Sequence, residues 1–498
     1  MKSYKKILLL FVVIFTGMIS FASSYIFAQS LTWQRLYNGP SNFSDIGYDV
    51  CQTMDSNFIV VGSTRKMPHD GIYVLKLNKY GDTIWTKIIA NYPINVSANA
   101  VTSTNDGGCV LTGDADTAFA IKLDISGNIV WSKRYGLNRY VQCYDICNTL
   151  DRGFIACGSI LSGGGYVFKI DSLGNLEWEK IYVGEFTFLT SIDIAHNSGY
   201  ILSGSIYDTP TNDTLQAIVI RIDEFGNTIW SNRFLLLKGL NGKRVNRINS
   251  GYILSGTVSE EINLNFFSNI KKNNLLKTAH TFFIRLDSNG NNLYSKIFYS
   301  KNIETLGSFS IVNDNKYLFA LNSDSANYTN AKLIITDFDG NIINQKTYQS
   351  IKYLYLESAK KTFNGSFIFA GTWGLFSAGN RDDIYGLSTD SNLNAPPLVV
   401  NILENKRKIP ENFILYPAYP NPFNPFTRIK FELKVKANVI LKIFNIEGKE
   451  ISELINENKD EGIYSVNWGG SKYGSGIFFC EMLINRNILK TIKLIILK

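Results

Sequence analysis

Three histidines are the only imidazoles in this chain of 498 residues, at positions 69, 196 and 280. His69 and His196 fall in expected turns between strands, and His280 falls just before a strand. A zinc or acid–base site needs such side chains to converge. Three lone ones, spread over separate segments, make no metal site. Six cysteines stand at Cys51, Cys109, Cys143, Cys147, Cys157 and Cys480. Cys143 and Cys147 are four apart with no histidine companion, so they read as small apolar strand residues. An exported setting leaves open one disulfide among Cys143, Cys147 and Cys157. Aspartates recur at Asp124, Asp171, Asp223 and Asp287, each three residues before a glycine. Calcium takes six to eight oxygens, and one carboxylate per turn supplies too few. A turn-capping role, with glycine taking the left-handed conformation, fits better. No serine elbow, phosphate loop or paired-carboxylate signature stands out. The expectation is no catalytic residue, no cofactor-binding residue, no metal ligand and no cofactor.

These aspartates belong to an internal repeat, which decides the fold. The copies are VLKLNKYGDTIWTK (74–87), AIKLDISGNIVWSK (120–133), VFKIDSLGNLEWEK (167–180), VIRIDEFGNTIWSN (219–232) and FIRLDSNGNNLYSK (283–296). A weaker copy covers 334–346 and a half-copy 386–394. Gly81, Gly127, Gly174, Gly226, Gly290 and Gly340 follow one another at 46, 47, 52, 64 and 50 residues. An apolar segment precedes each copy, as in FIVVGS (58–63) and FIACGS (154–159); there are seven such segments. With one more strand upstream, each unit offers four short strands, the size of a propeller blade.

Four residues after the glycine comes an aromatic: Trp85, Trp131, Trp178, Trp230, then Tyr294. This resembles the tryptophan-docking pattern of quinoprotein-type propellers, which implies rings packed between adjacent blades as structural aromatics rather than catalytic groups. The seventh unit lacks its aromatic strand. The segment LTWQRLYNG (31–39) looks like the missing piece and aligns Trp33 with Trp131. Strand 31–37 is therefore expected to pair with 386–390 and to close a seven-bladed β-propeller over 29–394.

The N-terminus has Lys2, Lys5 and Lys6, an apolar run from Ile7 to about Phe27, and Ala28 before Gln29. That pattern predicts a signal peptide over 1–28; Ser23, Ser24 and the small-residue site favour cleavage over an uncleaved anchor. No transmembrane span is expected in the mature chain. Hydrophobic residues make up 45% and charged ones 18% of the chain, with 27 Tyr and 32 Phe, which suits β-structure. Of the net charge of +8, three units are signal-peptide lysines and +6 lies in 405–498, which leaves the middle near −1. A near-neutral middle gives no basic face for nucleic acid.

Past Ala395-Pro396-Pro397 the composition changes, and 395–414 reads as a linker. Apolar-alternating strands follow over 439–451, 462–470, 475–484 and 489–498, a small antiparallel, immunoglobulin-like β-sandwich by pattern. Residues 415–498 resemble the type A C-terminal sorting domain of type IX secretion (Por) cargo. The resemblance rests on Pro420, Asn421, Pro422 and Phe423, on Gly448 after Phe444-Asn445, on Gly462 to Trp468, on Gly476, and on the closing strand from Lys490 to Lys498. Gly469 stands where the family often has Asp, the loop before Ser475 is short, and Cys480 is unusual. The family implies Sec export, passage through the outer membrane by the type IX machinery, and a secreted or surface location.

The fold class expected is thus all-β: a seven-bladed propeller followed by a small sandwich. The function expected is a secreted binding scaffold, with a surface glycan or a protein as its ligand. The alternative is a secreted hydrolase or lyase with its site in the propeller channel, since such sites leave no linear motif. Charged side chains around the channel would favour the enzyme, and an apolar or featureless channel the scaffold.

Overall fold

The structure is a computed structural model. It describes residues 31–39, 44–65, 70–89, 96–136, 140–160, 163–182, 184, 187–209, 212–237, 239–259, 279–325, 328–375, 382–398, 413–445, 449–484 and 487–497. The expected signal peptide, His69, Gly448, Lys498 and residues 260–278, most of the long insertion 259–281 between the repeat copies at 219–232 and 283–296, lie outside the described residues. The fold is all-β, with no helix among the described residues. The chain divides into two compact units, Met1–Val399 and Val400–Lys498.

In the larger unit the described strands form seven four-stranded antiparallel meanders. The first runs from Asp45–Gln52 to Thr83–Ile89, the second from Ser97–Ser103 to Ile129–Tyr135, and the third from Val141–Asn148 to Leu176–Tyr182. The fourth runs from Thr187–Ile194 to Thr228–Phe234, the fifth from Gly239–Ile248 to Asn292–Phe298, and the sixth from Glu304–Asn313 to Ile342–Tyr348. The seventh has three consecutive strands, Tyr353–Lys361, Phe367–Gly374 and Asp383–Thr389. Its fourth is Trp33–Tyr37, antiparallel to Asp383–Thr389 with Trp33 opposite Ser388 and Tyr37 opposite Ile384.

Burial is graded across each meander. Second strands such as Phe58–Thr64 and Phe154–Ile160 are buried on both faces, whereas fourth strands such as Ile129–Tyr135 are largely exposed. Accordingly the second strands read as unbroken apolar runs and the fourth strands alternate. The apolar cores lie between meanders. One gathers Trp33, Tyr37, Ile368, Ala370 and Ile384 from the seventh with Val50, Val60 and Leu75 from the first. The first strands touch one another in a closed cycle, each of the seven meeting the next and the seventh meeting the first.

The turn after each third strand is capped by an aspartate, or by Asn78 in the first meander. In the second meander Asp124 Oδ1 accepts from the Ser126 and Asn128 amides and Oδ2 from Asn128 Nδ2. Asp171, Asp223, Asp287, Asp337 and Asp390 repeat the first of these caps, taking the amide two residues on. Gly127 closes the turn at φ +80°, and Leu393 holds the same left-handed place at +64° in the seventh meander. A second repeated device joins the third strand to the turn after the first. Lys76 is paired with Asp55 at 2.8 Å, Lys122 with Asp106 at 2.7 Å, and Lys169 with Asp151 at 2.5 Å.

The smaller unit begins with strand Phe413–Leu415. One sheet joins it to Phe426–Leu433 and Gly462–Gly469; the other orders Glu450–Lys459, Ala437–Asn445, Gly476–Ile484 and Asn487–Ile496. Segment 439–451, read as one strand, instead spans parts of two antiparallel strands, Ala437–Asn445 and Glu450–Lys459. The second is polar at most positions and buries only Ile455. Both sheets contribute to one core, with Ile429 and Phe431 from one and Leu441, Cys480 and Leu494 from the other.

Candidate functional site

The aromatics singled out in the repeat all meet the turn of the following meander. Trp33 Nε1 donates to Lys79 O at 3.2 Å, and Trp85 to Ile125 O at 3.1 Å. Trp131 donates to Ser172 O, Trp178 to Glu224 O and Trp230 to Ser288 O, while Tyr294 donates from its hydroxyl to Asp339 O. The indoles lie over the turn glycines. A Cβ on Gly81 would stand 2.6 Å from Trp33, and one on Gly174 3.0 Å from Trp131. Trp33 is 4% exposed, and the other four indoles are half-buried. These contacts join each aromatic to the next meander.

The two described histidines are equally committed. His196 Nε2 bonds the carbonyls of Ile248 and Gly251. His280 lies within strand Ala279–Leu286 rather than before it, buried, with Nδ1 accepting from the Ser300 amide. All six cysteines are free, so no disulfide joins Cys143, Cys147 and Cys157. Burial pushes the Cys147 and Cys157 thiols well above their ordinary range, which disfavours the thiolate. Among the described residues no group of His, Cys, Asp and Glu could hold a metal ion.

What sequence reasoning missed lies on the first strands. Each carries a β-bulge against its second strand, between residues such as Gly47 and Asp49 or Cys143 and Asp145. The bulge sets one residue per meander outside the regular ladder on the strands that form the cycle. The bulged residues are Tyr48, Asn99, Tyr144, Thr190, Lys243, Gly307 and Glu357, and the residues that follow include Asp49, Asp145 and Arg244. Several of these tie one meander to the next. Asp49 accepts from the Val101 amide at 2.9 Å and from Ser358 Oγ at 2.5 Å. Asp145 accepts from Ser191 Oγ, the Ile192 amide and, two meanders on, Arg244 Nη1 at 3.0 Å. Burial works against the charge on Arg244, but Asp145 and Asp49 together keep its pKa raised. Lys243 reaches Glu357 at 3.2 Å, past Gly307 of the intervening meander. The charges nearest the cycle are therefore matched in pairs and by backbone amides.

One group at this level is less committed. Asp114 ends strand Cys109–Asp114, opposite Ser97 of its own meander and Gln142 of the next. Burial pushes its carboxyl up to about 7, against the 2.7 Å hydrogen bond from Asn99 Nδ2. A shallow depression of about 380 Å³ between the second and third meanders lies elsewhere, and its lining is already engaged: Tyr135 donates to Gly174 O and Glu179 accepts from the Gly136 amide.

In the smaller unit the motif residues assemble at the last strand. Asn421 Oδ1 accepts from the Ile495 amide at 2.8 Å, and its Nδ2 donates to Lys493 O at 2.6 Å. Phe423 exchanges backbone hydrogen bonds with Ile495 and Leu497 and packs edge-on against Trp468 at 5.5 Å. Pro420 O accepts from Thr427 Oγ1, and Pro422 lies between Asn421 and Phe423 in the chain. Gly462 and Gly476 open the strands that pair with Leu433 and Ile496, and Lys490 lies opposite Met482. Cys480 is fully buried among the strands, and burial pushes its thiol up to about 12.

Residues 417–498 match the model of the secretion system C-terminal sorting domain. That domain marks cargo of the type IX secretion system, and it puts the protein outside the cell or at its surface. No curated protein matches the chain. Among solved structures, a Bacteroides caccae protein of unknown function is 10% identical at a TM-score of 0.39, over 61% of this chain and 97% of that one. Sqt1 of Chaetomium thermophilum, in its complex with the N-terminus of ribosomal protein L10, is 11% identical at a TM-score of 0.45, over 71% and 98%. Among the described residues no helix is long and apolar enough to cross a membrane.

Proposed function

We propose that this type IX cargo is a binding scaffold, with its seven meanders forming the blades of a seven-bladed β-propeller over residues 29–394. The closed cycle of first strands carries that reading, helped by the pairing of Trp33–Tyr37 with Asp383–Thr389. Residues 1–28 serve as the signal peptide, 395–414 as a linker, and 415–498 as a separable sorting domain of immunoglobulin-like sandwich form. The machinery engages that domain, and the propeller meets its ligand, a glycan or a protein, outside the cell.

The enzyme reading draws on the charged residues of the first strands. Arg244, Asp145, Lys243 and Glu357 pair with one another, and the Ser191 hydroxyl beside them donates to an Asp145 carboxylate already held by Arg244. The scaffold reading is therefore preferred. The sorting half is tested by fusing residues 405–498 to an exported fluorescent protein in a host with type IX secretion. The fusion reaches the surface or medium, and a chain ending at Pro397 stays in the periplasm. Equal surface delivery of the truncated chain would refute the sorting role.

A further inference from the structure

Asp114 stands among hydroxyls and amides rather than among cations. Asn99 Nδ2 bridges Asp114 Oδ1 and Cys143 O, at 2.7 and 3.0 Å, and Asn99 Oδ1 is 3.0 Å from Ser97 Oγ. Tyr144 donates to Gln142 Oε1 at 2.8 Å, and Gln142 is the residue opposite Asp114 across the seam between meanders. The phenols of Tyr48, Tyr140 and Tyr144 all feel the Asp114 carboxylate, which adds to the effect of burial in holding each phenol protonated. Tyr140 is 42% exposed, and Tyr48, Asn99, Asp114, Gln142 and Tyr144 are half-buried, so the group is open to solvent. The first strands of the first three meanders, with the end of Cys109–Asp114 and Tyr140 just before Val141–Asn148, bring together phenol rings, two primary amides and one carboxyl.

This chemistry selects for a particular ligand. Phenol rings offer apolar faces with a polar tip, and amides offer donors and acceptors side by side. An anionic ligand would meet Lys243 already paired with Glu357, and a cationic one would meet a carboxyl that burial keeps protonated below about pH 7. We infer that the group formed by Tyr48, Asn99, Asp114, Tyr140, Gln142 and Tyr144 is a binding site for a neutral, hydroxyl-rich glycan. The inference rests on the scaffold reading above and names the ligand class for it. Sugar C–H faces lie on the phenol rings, and sugar hydroxyls exchange hydrogen bonds with the amides and the carboxyl.

The titratable groups facing Asp114 are those three phenols and the Cys143 thiol, all moved upward by burial. Between about pH 6 and 8 only Asp114 changes charge among them. A covering ligand removes further water from the carboxyl and disfavours its ionised form. Affinity therefore falls as pH rises through about 7.

The test uses the full mature protein and neutral gluco-, manno- and xylo-oligosaccharides, titrated calorimetrically at about pH 6 and 8. At least one series binds, more tightly at the lower pH. Tyr140→Ala and Tyr144→Ala each weaken that binding by about tenfold or more, and Asp114→Asn keeps it while removing the pH dependence. Hydrogen exchange of the first strands in each variant reports that the fold is intact. Oligosaccharide binding that none of the three variants changes would overturn this site while leaving the scaffold reading standing. Absence of binding to every series at about 10 mM by a folded wild type would overturn the glycan assignment. Loss of first-strand protection in the wild type itself would count against the scaffold reading instead.

Discussion

Trp33 offers the sharpest mechanical test, because it holds the same station as four other tryptophans yet is more deeply buried. Truncation to alanine removes an almost fully enclosed indole, its hydrogen bond to Lys79 O, and its packing over Gly81. Loss of a buried tryptophan costs about 3–5 kcal/mol, and the hydrogen bond adds about 1. Trp85, Trp131, Trp178 and Trp230 make the same contacts half-buried, so each should cost about 2–3 kcal/mol. The gap of about 2 kcal/mol reflects the place of Trp33 on the strand that joins the two ends of the larger unit. Equilibrium urea unfolding followed by far-ultraviolet circular dichroism reads the midpoint of the larger unit without relying on tryptophan emission. The expected order is Trp33→Ala least stable, with the other four close together. Equal midpoints for all five would refute the claim that the terminal strand closes the cycle. A wild-type midpoint for Trp33→Ala would refute its burial as a source of stability.

Other outcomes follow from the same geometry. Arg244→Met should cost about 3 kcal/mol by leaving Asp145 buried without its cation, and Asp145→Asn in the same chain should restore much of the loss; a double-mutant cycle on urea midpoints reads the coupling. Gly174→Ala, at φ +76° with Trp131 3.0 Å from the new Cβ, should lose about 1–3 kcal/mol, measured by the same unfolding. The turn aspartates Asp124, Asp287 and Asp337 have depressed pKa values, held down by hydrogen bonds from Asn128, Asn291 and Asn341. Their contribution is complete above the unfolded carboxylate pKa near 4 and fades as pH falls through the folded values. Urea midpoints should therefore drop below about pH 4, and Asp→Asn at all three should flatten that drop. Phe423→Ala should destabilise the smaller unit through Trp468 and reduce surface delivery of the 405–498 fusion, scored by cell-surface fluorescence.

The repeat was legible because local chemistry carries it. Asp124 and Gly127 must occupy fixed places in a tight turn, and the second strands, buried on both faces, must read as apolar runs. The joining strand was legible for the same reason, since LTWQRLYNG repeats the pattern of IVWSKRYG. The polar group of the first strands was not. It takes one bulged residue from each meander, and the seven are of six types: Tyr48, Asn99, Tyr144, Thr190, Lys243, Gly307 and Glu357. Nothing in a single strand marks where its bulge falls. Glu450–Lys459 escaped as a strand because it is polar along most of its length and edges its sheet. His280 was set one step too early because its strand begins straight after the long insertion.

The strand at Trp33–Tyr37 is made first and placed last. Its partner Ser388 reaches back to Leu31 over 357 residues, so no local segment can shelter it in the meantime. Until Asp383–Thr389 emerges from synthesis, a nascent or truncated chain presents two open strand edges, one at each end of the larger unit. Closure is then a single late event with a high contact order, slow compared with forming any one meander. Once made, it pairs those two edges with each other. Trp33–Tyr37 then stands as the outer strand of its sheet, in the place that Thr83–Ile89 holds in the first meander.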